Sequence, residues 1–80
     1  MISNQILKET ISGMKEVTGI DLCILDLSGR IVVTTMEVQE SLTEHATEFA
    51  ESMAESQVID GFQYFKIFDE QRLEYILLVN

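Results

Sequence analysis

Residues 19–35 read GIDLCILDLSGRIVVTT, and the reading of this stretch decides the fold. An apolar run over 20–25 leads into Asp26-Leu27-Ser28-Gly29-Arg30, and a β-branched run, Ile31-Val32-Val33, leads out through Thr34 and Thr35. A Ser-Gly pair between two β-rich runs signals a tight reversal, because glycine takes the positive φ that such a turn needs. The stretch is therefore expected to form a β-hairpin. Leu22, Cys23, Ile24 and Leu25 do not alternate with polar residues, so both faces of the first strand are expected to be covered, as in a central strand. The three β-branched residues favour a strand over a helix, and the two threonines suit a sheet edge.

Upstream of the hairpin, residues 3–18 carry Ile6, Leu7, Ile11, Met14 and Val17 at helical spacing, with Gln5, Lys8, Glu9, Ser12, Lys15 and Glu16 opposite them. Ser3 or Asn4 can cap this helix, and Gly19 is its expected stop. Gly13 inside it costs about 1 kcal/mol against alanine, and is read as the mark of a close approach to a strand or another helix.

Downstream, residues 37–55 predict a second helix with the stripe Leu42, Ala46, Phe49, Ala50 and Met53. Glu40, Glu44, Glu48, Glu51 and Glu55 form its solvated outer face. Ser41 and Glu44 make a capping-box pattern that starts the helix at Ser41. Residues 57–59 are a short strand or connector. Residues 61–68, GFQYFKIF, predict an aromatic strand, 69–72 a polar reversal, and 73–79 a last strand apolar on both faces, placed in the sheet centre beside the first.

The expected fold class is α+β in the order α-β-β-α-β-β, an antiparallel sheet with both helices on one side. That arrangement matches PAS/GAF-like sensor folds and roadblock-like domains equally.

Eighty residues make a single domain, expected over 1–80. A hydrophobic content of 46% is high for such a short chain. Part of the apolar surface is therefore expected to be covered by a second copy, a partner or a continuation of the chain. No stretch approaches the roughly 18 consecutive apolar residues of a membrane span. MISNQILKE lacks the basic start and apolar core of a signal peptide, so the expected location is cytoplasmic. The single cysteine, Cys23, cannot form an internal disulfide. A net charge of -9 repels phosphate backbones and anionic lipid surfaces, which argues against direct contact with nucleic acid or membrane.

Catalysis is not expected. Cys23 stands among Leu and Ile, where a thiol acts as a small core hydrophobe. His45 is the one histidine, on an acidic helix, and with Glu44 and Glu48 it offers at most a weak cation site. There is no Gly-rich phosphate loop, no G-x-S-x-G and no C-x-x-C, and no cofactor is implied.

Two stretches, SNQILKETISGMKEVTGIDLCILDLSGRIVVTT (3–35) and GFQYFKIFDEQRLEYILLVN (61–80), together resemble the N-terminal segment of bacterial sugar-diacid-type helix-turn-helix transcriptional regulators. They cover about two thirds of the chain. The D-L-x-G-R turn alone is shared by many PAS-like and roadblock-like domains; its pairing with the initial Ser-Asn-Gln helix and the closing aromatic hairpin is more particular. The resemblance implies a non-enzymatic sensory module at the N-terminal end of a longer regulator, acting as a homodimer and responding to a small organic acid. A buried carboxylate ligand needs cationic donors. Arg30, Lys66 and Arg72 are the basic residues after the first helix, and Tyr64 and Tyr75 can hydrogen-bond a ligand from a pocket wall. These five are the candidate ligand-binding residues. Each also has a plainer reading, as an exposed charge or as core. A roadblock-type scaffold that binds a protein partner and no small molecule is the alternative.

Overall fold

The computed structural model describes residues 3–80. The first two residues of the expected 1–80 domain lie outside that range. The first helix, α1 (Asn4–Thr18), starts where Ser3 accepts the Ile6 N–H and stops at Gly19, whose φ of 73° lets its N–H close back on Lys15. The strands β1 (Leu22–Asp26) and β2 (Ile31–Thr34) follow as the predicted hairpin. Helix α2 (Glu40–Glu51) comes next, then β3 (Ser56–Ile59), β4 (Phe62–Asp69) and β5 (Arg72–Val79).

The chain thus has the α+β class expected, with one strand more than the order α-β-β-α-β-β. Its five strands form a wholly antiparallel sheet in the order β2-β1-β5-β4-β3. β5 sits in the middle beside β1, and β2 is an edge, as their composition indicates.

The helices do not share a side. Cys23 and Leu25 point to one face with Ile76, Leu78 and Tyr64, and there they meet Leu42, Ala46 and Phe49 of α2. Leu22 and Ile24 point to the other face and meet Leu7 and Ile11 of α1. A strand that is apolar at every position has two faces to bury, and a single helix can cover only one of them. The expectation of both helices on one side is therefore replaced by one helix per face. Each fully buried Leu or Ile contributes about 1.5–3 kcal/mol, so the α2-side core, with eight buried residues against four, is the larger source of stability.

Three local expectations are corrected. The Ser41–Glu44 capping box is not used: α2 begins one residue earlier, and Gln39 occupies the cap position without a side-chain hydrogen bond. Met53 does not extend the apolar stripe of α2, because the helix has already ended, and it is 98% exposed. Gly13 marks no close approach within the chain, since a Cβ there would meet nothing within 4 Å.

The turn of the first hairpin is held by Asp26. Its Oδ1 accepts from Ser28 N–H (3.0 Å), Ser28 Oγ (2.7 Å) and Arg30 N–H (3.0 Å). Burial opposes its charge, but the Ser28 and Arg30 donors outweigh burial and hold the carboxyl below its ordinary range. Gly29 has φ of 89°, and a Cβ there would lie 2.9 Å from Thr47 Cγ2 and 3.2 Å from the Thr43 carbonyl of α2. The turn therefore packs beneath α2 and requires glycine for two reasons, conformation and space.

Two alanine substitutions should move stability in opposite directions in urea unfolding. Gly29→Ala should lose roughly 2 kcal/mol through positive φ and the contact with α2. Gly13→Ala, in open space within a helix, should gain about 0.5–1 kcal/mol. A loss at Gly13 comparable to that at Gly29 would contradict this packing.

Candidate functional site

The five candidate ligand residues fall at separate places. Arg30 is exposed on the hairpin turn, and its backbone serves Asp26. Arg72 is exposed at the start of β5, beside the two-residue turn formed by Glu70 and Gln71, both at positive φ. Lys66 faces α2: its Nζ donates to the Ser52 carbonyl just past the helix and lies 5.2 Å from the Phe49 ring centroid. A cation at that point satisfies a carbonyl left free at the helix C-terminus and favours the helix dipole.

The two tyrosines lie on opposite faces of the sheet. Tyr64 is fully buried between β4 and α2, tilted against Phe49, with its hydroxyl donating to the Leu42 carbonyl at 3.3 Å. Burial pushes its phenol up to about 12, with the Asp60 charge adding to the effect. Tyr75 is half-buried on the α1 side. Tyr64 and Lys66 share the α2 face two residues apart on β4, and the structure brings none of the other three to them.

Cys23 is fully buried, and burial raises its thiol above the ordinary range. His45 lies half-buried on α2 with Nδ1 3.8 Å from Asp60 Oδ2, beyond hydrogen-bond range. Among the described residues no three His, Cys, Asp or Glu side chains gather as a metal site. No described helix is long and apolar enough to cross a membrane.

Two shallow concavities mark the surface. One, of about 230 Å³ at the β4–β5 turn, is lined by Asp69, Glu70, Arg72 and Glu74. The other, of about 290 Å³ at the start of α2, is lined by Glu37, Gln39, Ser41, Leu42, Asp60 and Phe62. Three carboxylates against one guanidinium, and two carboxylates with no base, both give an anion a repulsive setting.

Part of the sheet on the α1 side is left uncovered. Register places Tyr75, Leu77 and Val79 of β5, Phe65 and Ile67 of β4, and Val58 of β3 on that face. The core beneath α1 reaches the β5 residues and stops there. Phe65 and Ile67 are half-buried and belong to neither core, and Val58 is 66% exposed. Of the remaining β4 and β3 positions on this face, Gln63 and Ser56 are uncharged, and Asp69, paired with Arg72, places charge only at the β4–β5 turn end. The signal was present in β4, whose off-positions Gln63, Phe65 and Ile67 lack the charge of a solvated face until Asp69 at the strand's end.

No family model, curated protein or solved structure matches the chain.

The Tyr64 geometry sets a pH dependence. A phenol whose folded pKa is raised above the unfolded value near 10 stabilises the fold below pH 10, and that contribution is lost as pH rises towards 12. Ultraviolet titration should show a tyrosine ionising near pH 12, and that late ionisation should be absent in Tyr64→Phe. A late ionisation that survives in Tyr64→Phe, or none at all in the native chain, would contradict a buried Tyr64.

Proposed function

We propose that the domain is a non-enzymatic association module that carries a signal within a transcriptional regulator by having its α1-side face covered or uncovered. The observation that carries this reading is the apolar, partly exposed face over β5, β4 and β3, charged only at its Asp69–Arg72 end. Contiguous apolar surface rimmed by polar residues marks interaction sites. A net charge of -9 adds a selection rule, because it repels nucleic acid while leaving this face open to apolar association. The link to a regulator rests on the resemblance of residues 3–35 and 61–80 to the sugar-diacid-type family. Coverage works as a switch when an occupant binds one arrangement of the domain better than another. A homodimer is one form this association takes; a partner protein is the other.

A small organic acid as the signal is the second reading, favoured by one observation: Arg72 lines a concavity. Three carboxylates share it, so the association reading without a small ligand has the stronger support.

Thermal melting in millimolar dicarboxylates and sugar acids separates the two. The association reading expects an unchanged melting temperature, because a ligand raises it only by binding the folded state. A rise that disappears in Arg72→Ala would establish the acid reading in its place.

A further inference from the structure

The uncovered face is a trough with one wall. Its floor spans β5 to β3, two strand spacings or about 10 Å, which is the diameter of one helix. Its wall is a flank of α1. At 100° per residue, Ile6, Thr10, Gly13 and Val17 fall on one line, spaced by four, three and four residues, beside the buried Leu7 and Ile11.

The opposite flank shows which way this line points. Lys15 lies about 200° from both Gly13 and Val17. It pairs with Asp21 at 2.8 Å, and Asp21 is held by Thr35 at the far end of β2. The Lys15 flank is thus turned to the β2 edge, and the Gly13 flank to β5 and β4. On the trough side Ile6 is 59% and Val17 87% exposed, and the space over Gly13 is empty. Missing side-chain volume at Gly13 lets another helix approach α1 closely.

We propose that this trough docks an amphipathic helix of a partner protein, about four turns long, apolar towards Phe65, Ile67 and Leu77 and basic along its exposed flanks. The length is that of α1, 15 residues. The apolar stripe answers the uncharged stretch of floor short of Asp69, and the basic flanks answer a chain of net charge -9.

A second copy is the poorer occupant. Its own α1 already turns Leu7 and Ile11 to its own sheet, so it would lay its outward side on the floor. That side carries Gln5, Glu9 and Glu16, and two carboxylates would lose water against an uncharged surface. The inference rests on the association reading and names the occupant.

The test uses the full chain, sedimentation velocity and a synthetic 18-residue helical peptide with a leucine stripe and lysine flanks. A scramble of the same composition controls for charge. The expected result is a monomeric chain that binds the peptide at least about tenfold tighter than the scramble. Amide NMR shifts should centre on β4 and α1. Val17→Glu and Val58→Glu, both at exposed positions, should each weaken binding by about tenfold or more, and Met53→Glu should not. A dimer dispersed by Val17→Glu or Val58→Glu would overturn the helix occupant and keep the association reading. A monomer that binds peptide and scramble alike would overturn both.

Discussion

The antiparallel pairing of β1 with β5 is the contact on which the rest of the structure depends. Leu22, Cys23, Ile24 and Leu25 are all buried, and they pair in register with Val79, Leu78, Leu77 and Ile76. Because successive side chains point to opposite faces, this ladder demands cover on both. One helix lies on each face as a consequence. The two cores are separate sets of residues on the opposite faces of this ladder.

The two faces are not covered alike. On the α2 side, Leu42, Ala46 and Phe49 meet β1, β5 and β4, and Ile59 and Phe62 extend the packing towards the β3 edge. Lys66 closes the end of α2, and Gly29 tucks the hairpin turn against its flank. On the other side α1 lies over β1 and β2, and its core ends at β5. Charge follows the same division. α2 and its flanks carry Glu37, Glu40, Glu44, Glu48, Glu51 and Glu55, whereas α1 balances Lys8 and Lys15 against Glu9 and Glu16. The acidic side is finished and repulsive, and the α1 side is where apolar surface remains uncovered.

Much of this fold was legible in the sequence. The Ser28-Gly29 turn, the Ser3 and Gly19 caps, and the central placement of residues 73–79 follow from local chemistry. The side on which each helix packs did not follow, although the unbroken run from Leu22 to Leu25 implied it: a strand buried on both faces needs two covers. The Ser41–Glu44 box misled because the pattern records what a cap could do, and tertiary packing of Leu42 set the start of α2 instead. The candidate site was less legible. Arg30, Lys66 and Arg72 were chosen by charge and Tyr64 and Tyr75 by chemistry, and neither property states which way a side chain points. Lys66 is engaged at a helix end and Tyr64 in the core, and both depend on long-range register. The uncovered face depends on register too, since Phe65 and Ile67 are left half-buried because α1 stops short of them.

The openness of that face is the claim to measure first. In dilute monomeric solution, a soluble paramagnetic agent should strongly relax the methyl protons of Val58 and Ile67, and leave those of Ile76 and Leu78 on the α2 side nearly untouched. Equal protection of Ile67 and Ile76 would show the α1-side face already covered, and would contradict the account.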